Sequence, residues 1–167
     1  MKSGDAAALL ASLPMFRRTS RGPVAGLARH AQPRAAPAGS AIVRRGERMP
    51  GLMVVRYGLV KLSVQGEGER IIRLAGPEET FGEAALFLEQ PLPVDVTAVT
   101  NTALLVVPAE PLLALFDRDP RFARGLLAAV CQRLQLMVAD FESVTAHRAR
   151  ACRGRSSRTP CDRYAAS

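Results

Sequence analysis

The residues with the clearest chemistry lie in one stretch, Thr80-Phe81-Gly82-Glu83-Ala84-Ala85-Leu86-Phe87, which runs on through Glu89-Gln90-Pro91-Leu92-Pro93-Val94-Asp95-Val96-Thr97-Ala98. Gly82 lets a backbone pass close to a bound group. Glu83 to Leu86 suit one short helical turn whose unbonded amides would face that group, an arrangement that favours anions. Alternation resumes at Val94, Val96 and Ala98, so the turn and its loop are expected between two strands. The chemistry implied is ligand binding. No nucleophile motif, metal-ligand cluster or lysine-bearing phosphate loop is present in the sequence, and an enzyme is not expected.

This stretch resembles the phosphate-binding cassette of the cyclic-nucleotide-binding fold, and Phe81-Gly82-Glu83-Ala84-Ala85-Leu86-Phe87 is most similar to bacterial transcription regulators of the Crp/Fnr family. In members that bind a cyclic nucleotide, the resemblance implies an arginine followed by serine or threonine that closes the loop on the cyclic phosphate. Here those positions read Pro93-Val94, after Leu92. A guanidinium makes two parallel charge-assisted bonds to phosphate, each worth roughly 1.5–3 kcal/mol against ~1 for a neutral donor. Proline and valine offer no donor side chain, so a phosphate facing them would lose hydration without compensation, and weak or no cAMP binding is expected. Glu83 stands where those relatives hold the ribose hydroxyl. An acid opening a helical turn is equally well explained as a favourable dipole contact.

The family also places hydroxyl side chains against the purine on its long C-terminal helix. After Arg133-Leu134-Gln135 this chain instead has Leu136-Met137-Val138. The effector pocket is therefore expected at Phe81, Gly82, Glu83, Ala84, Ala85, Leu86, Pro93, Val94, Met137 and Val138, apolar at both ends. In this it is similar to the haem-binding, nitric-oxide-responsive branch of the family, which makes haem a candidate cofactor, with His30 the candidate ligand and His147 the other histidine. Neither is placed by a motif, and a lone histidine near a helix end is more often a surface residue or a dipole partner. A different small apolar effector, or none, is the plainer expectation.

The elements that must hold this pocket follow from texture. At 167 residues the chain can bury one real core. Residues 1–38 read as a helical lead: an apolar run from Asp5 to Leu13 stopped by Pro14, then a short helix around Val24 to Ala31 and a proline-marked connector. The run is too short for a membrane span and lacks a convincing cleavage site, so a cytoplasmic protein is expected. Residues 39–109 read as short strands, at Ala41–Arg44, Leu52–Val55, Leu59–Val64, Arg70–Leu74, Val94–Thr100 and Ala103–Val107. Val60, Leu62 and Val64 alternate with Leu59, Lys61 and Ser63, as for one buried and one exposed face. Gln65 to Glu69 is a hairpin loop, and Gly46, Gly51 and Gly58 fall where the turn glycines of the family it resembles do. The fold class is mainly β with flanking helices, and the resemblance implies a double-stranded β-roll, or jelly roll, followed by a long dimerisation helix.

Residues 110–149 hold that helix. Pro111 to Phe116 bridges to it, and Asp119-Pro120 is a start signal, aspartate at the N-cap and proline at the first helical position. Ala123, Leu127, Val130, Leu134, Met137, Phe141 and Val144 then recur at alternating spacings of four and three, an unbroken heptad seam. About 29 residues of helix extend ~43 Å, more than one small roll covers, so a parallel homodimer through the seam is expected. Packing of the seam on the roll is the competing expectation, with Leu126 and Leu136 as a further apolar stripe.

The net charge of +8 is misleading until it is located: six arginines and one aspartate from Arg148 onward carry +5 and leave +3 for the rest. Cys152 and Cys161 lie in this stretch, while Cys131 falls within the helix; none has metal-ligand spacing, and the iron-sulfur branch's N-terminal cysteines are absent. Residues 150–167 show no apolar periodicity and read as a disordered arginine-rich tail. Crp/Fnr regulators continue into a winged helix-turn-helix at this point, so the tail reads as an out-of-frame product and DNA binding is expected only if an intact winged helix exists elsewhere. Two functions follow: the effector-sensing, dimerising half of a Crp/Fnr-like regulator, or a stand-alone interaction module forming homo- or mixed dimers.

Overall fold

Alternating apolar residues between Gln32 and Pro108 build two four-stranded antiparallel sheets. The computed structural model describes the backbone of residues 3–153 and the side chains of residues 4–138. The chain divides into two compact units, residues 1–128 and 129–167.

The first unit opens with α1 (Ser3–Ser12), a 3-10 turn at Pro14–Phe16 and α2 (Arg21–His30). The strands are β1 (Gln32–Ala36), β2 (Ala41–Val43), β3 (Gly51–Tyr57), β4 (Val60–Gln65), β5 (Glu69–Ala75), β6 (Thr80–Phe81), β7 (Asp95–Ala98) and β8 (Thr102–Pro108). One sheet has the order β1-β8-β3-β6, the other β2-β7-β4-β5. Leu52 to Val55 of β3 are all buried. Successive side chains of a strand face opposite sides, so both faces of β3 are covered. The helix α4 (Ala109–Arg118) packs against β3 and β8, and α2 packs against α4 and β8. The arrangement is the expected β-roll with flanking helices.

Two details depart from the sequence reading. The proline-marked connector is a strand: β1 pairs with β8 from Gln32 opposite Val106 to Ala36 opposite Thr102. It is an edge strand, where the missing amide of Pro33 is tolerated. The simple alternation of β4 also fails. Only Val60 and Ser63 of the strand are buried. Its pairing with β5 shifts where Leu62 meets Arg73 and Ser63 meets Ile71, so the extra residue, Ile72, is a bulge on β5 that sets two residues against one.

The long helix α5 (Pro120–Arg153) starts in the first unit. Asp119 ends α4, its amide donating to Leu115 O at 2.9 Å, and caps α5, its Oδ1 accepting from Arg121 N at 2.9 Å and Phe122 N at 3.4 Å. Phe122 is fully buried and stacks on Phe16 with ring centroids 4.9 Å apart. Leu126 is buried as expected, but Leu136 is exposed, so the expected second stripe is confined to the first turns of the helix.

Candidate functional site

Gly82 takes φ +95°, a left-handed conformation that glycine reaches without steric cost, and turns the chain from β6 into α3 (Glu83–Phe87). Behind α3 the chain closes in a Schellman arrangement: Gln90 N donates to Ala85 O at 3.1 Å and Glu89 N to Leu86 O at 3.3 Å, with Glu89 itself at φ +53°. Phe81, Gly82, Glu83, Ala85 and Leu86 are buried, whereas Ala84 faces out. Phe87 meets Phe116 of α4 at 5.0 Å, tilted by 54°, which ties the cassette helix to the bridge helix.

Polar contacts cluster at the cassette's entry. The hydroxyl of Thr80 donates to Glu83 Oε1. Arg73 of β5, its side chain 14% exposed, donates from Nη1 to Thr80 O at 3.0 Å and from Nη2 to Glu79 Oε1 at 3.1 Å. Glu79 Oε2 in turn accepts from Gly76 N at 2.7 Å. The Arg73 guanidinium is thus engaged with the chain's own carbonyl and carboxylate. At the other end, Pro93 is exposed and Val94 half-buried, and neither side chain carries a donor.

Three residues of the site escaped the sequence reading. Met49, buried before Pro50, lays its terminal methyl against Gly82, where a Cβ would otherwise point. Leu92 is buried between two exposed prolines. Arg73 is the third. An apolar residue in a loop of prolines and polar groups was a usable signal for Leu92; nothing local marks Met49, whose partner Gly82 is several elements away, and Arg73 meets Glu79 and Thr80 only because the turn after β5 brings them back beside it.

The remaining expected site residues are placed elsewhere. His30 lines an open groove of about 450 Å³ between α2 and α4, with Pro23, Leu27, Pro111, Leu115 and Arg118, and no cassette residue lines it. Haem ligation by His30 would therefore occur in this groove, whose lining holds no cassette residue, and His30 is the one histidine among the residues with described side chains. Met137 and Val138 are exposed on α5, in the second unit. The side chains of Phe141, Val144 and His147 lie outside the described residues, as do residues 154–167 of the arginine-rich tail. No group of three or more metal-ligating side chains occurs among the described residues, and none of the described helices is long and apolar enough to cross a membrane.

One carboxyl is visibly perturbed. Glu69, at the β4–β5 hairpin, accepts from Lys61 Nζ at 2.6 Å and Ser63 Oγ at 2.8 Å. The Lys61 bond, then the Ser63 bond, holds its pKa below the ordinary 4.5.

A β-roll that carries a glycine-led short helix between β6 and β7 defines a class of effector domain, and comparison with known proteins agrees. The model of the cyclic nucleotide-binding domain matches residues 33–119, and the chain belongs to that family. It is 37% identical over 106 residues to the cyclic AMP receptor protein of Thermus thermophilus, covering 62% of this chain and 49% of that protein. It is 29% identical over 115 residues to a cyclic nucleotide-gated potassium channel of Mesorhizobium japonicum, covering 69% of this chain and 31% of the channel. The crystal structure of the Thermus thermophilus catabolite activator protein superposes with a TM-score of 0.66 at 31% identity, over 79% of this chain and 63% of that one. The resemblance to Crp-type regulators read from the cassette is therefore shown. The chain spans about a third to a half of the length of these two relatives.

Proposed function

We propose that this chain is the effector-sensing and dimerising part of a Crp/Fnr-like transcription regulator whose cassette does not hold a cyclic phosphate. The observation that carries this reading is the pair Pro93-Val94, which sets two side chains without donors where the family's cyclic-nucleotide binders carry arginine and a hydroxyl. Arg73 does not replace them, since its guanidinium already serves Glu79 and the Thr80 carbonyl. The proposed sensing surface comprises Phe81 to Leu86, Pro93 and Val94. The effector is unidentified. The protein is cytoplasmic and acts by binding, without catalysis, and its work on DNA belongs to a winged helix-turn-helix of the kind the family uses.

Dimerisation is the second part of the proposal. Leu127, Val130, Leu134 and Met137 present exposed apolar side chains at heptad spacing, which supports a parallel pair through α5. In this division residues 1–38 are the lead, 39–109 the sensing roll, 110–149 the bridge and dimer helix, and 150–167 the tail. A stand-alone module that forms homo- or mixed dimers is the alternative, and sequence-dependent retardation of family half-sites by this chain alone would exclude it.

Calorimetric titration with cAMP and cGMP tests the cassette. The unaltered chain is expected to show no saturable heat, and the double substitution Pro93→Arg, Val94→Ser to gain binding by about two to four orders of magnitude, the worth of two charge-assisted bonds. Micromolar binding by the unaltered chain would refute the reading.

A further inference from the structure

The loop that lacks the arginine is gripped by the turn Arg44–Glu47, which continues the pairing of β2 with β7. Gly46 N donates to Leu92 O at 2.8 Å and Leu92 N donates to Glu47 O at 2.9 Å, a reciprocal pair of main-chain bonds. Three residues further on, Asp95 Oδ1 accepts from Arg45 N at 2.9 Å. The turn is itself closed on both sides: Glu47 N donates to Arg44 O at 3.0 Å, and Arg44 N donates to Glu47 Oε2 at 3.0 Å. Leu92 completes the attachment with a buried side chain. Pro91 and Pro93 on either side hold their own φ fixed and restrict the residues before them, so the loop has little freedom left to lose.

We propose that Glu47, Leu92 and Asp95 are positioning residues of the cassette, a clamp within the chain that holds the loop 88–95 by bonds of its own rather than by a bound phosphate. The proposal rests on the reading of this cassette as one without a phosphate grip and says how the loop is kept ordered in that state. A ligand shifts an equilibrium only by its preference for one state over another, so a loop already held by its own bonds has no ordering to report. Any effector of this domain is then sensed through a change other than ordering of this loop.

Amide hydrogen exchange on the full chain, with and without millimolar cAMP, tests the clamp. The Gly46 and Leu92 amides are expected to exchange slowly in the free protein and to shift by less than about twofold on adding cAMP. Asp95→Ala should accelerate both by about tenfold or more, with Asp95→Asn, which keeps an acceptor, near the unaltered rate and the Leu104 amide of the core unchanged. Open-chain exchange at Gly46 and Leu92 in the free protein, protection gained only with cAMP, or no acceleration in Asp95→Ala would each overturn it. If Asp95→Ala does not fold, the unaltered chain with and without cAMP decides. Failure of the clamp and failure of the functional reading are separable: saturable cAMP heat with unchanged loop exchange defeats the latter alone, and fast loop exchange without cAMP heat defeats the clamp alone.

Discussion

Gly82 at φ +95° is the residue on which the cassette turns. Any side chain there meets a left-handed cost of roughly 1–2 kcal/mol, and its Cβ would run into the flexible end of Met49. Gly82→Ala is expected to lower stability by ~1–3 kcal/mol, part of the clash being relieved as Met49 moves. Urea denaturation measures this, and an unchanged midpoint would show that the turn tolerates a side chain. At the hairpin, Glu69 has its folded pKa depressed below 4.5 by Lys61 and Ser63. Its bonds therefore contribute stability above the unfolded pKa, and that contribution fades as pH falls through the folded value. Both partners are partly exposed, so the amount is small. Lys61→Met should return the Glu69 pKa toward the ordinary value and reduce this acid sensitivity, which carboxyl NMR titration reads directly; a pKa that does not move would show that Lys61 is not the main cause. Gly82 and Glu83 were legible because glycine and acid at a strand-to-helix turn have local reasons. Met49 was not, because its partner is brought near by the roll, and Arg73 was not, because its bonds to Glu79 and Thr80 depend on how the turn after β5 folds back.

Among the elements, the start of α5 is fixed by its cap and by one close approach. A Cβ on Gly125 would enter the carbonyl oxygen of Met15. Helix propensity alone favours alanine there by about 1 kcal/mol, yet overpacking against backbone costs ~1–3 kcal/mol and should dominate. Gly125→Ala is thus expected to be destabilising, with a lower melting temperature by circular dichroism; a higher one would show that the 3-10 turn yields easily. The cap at Asp119-Pro120 was readable from residue types, since it depends on neighbours two and three positions away. The strand β1 was not. Its proline and mostly exposed side chains look like a connector, and only the edge of β8 makes a strand of it. The bulge at Ile72 of β5 was hidden for a similar reason: it is defined by the pairing with β4, not by the strand's own alternation.

For the whole molecule, the seam of α5 leaves Leu127 at 64% and Leu134 at 61% exposure, a large apolar burden for one chain in water. On the proposed dimer, Leu134→Asp would place a charge in the middle of the paired helices. The unaltered protein is expected to sediment as a dimer and the variant as a monomer, or as a dimer weakened by about a hundredfold or more. A monomeric unaltered chain at high micromolar concentration would refute the pairing. The heptad spacing and the short alternating strands were determined by the sequence alone, because they depend on residue type and on periodicity along one element, while the cassette, its missing arginine and the β-roll were read from the resemblance that the stretch from Thr80 to Ala98 carries. The tertiary structure alone decided that Met49 backs Gly82, that the turn Arg44–Glu47 grips the loop, that Arg73 is engaged within the chain and that His30 faces a groove elsewhere. Most of those contacts join residues far apart in sequence, and the energies of all of them depend on distance and burial, which spacing along a chain does not record.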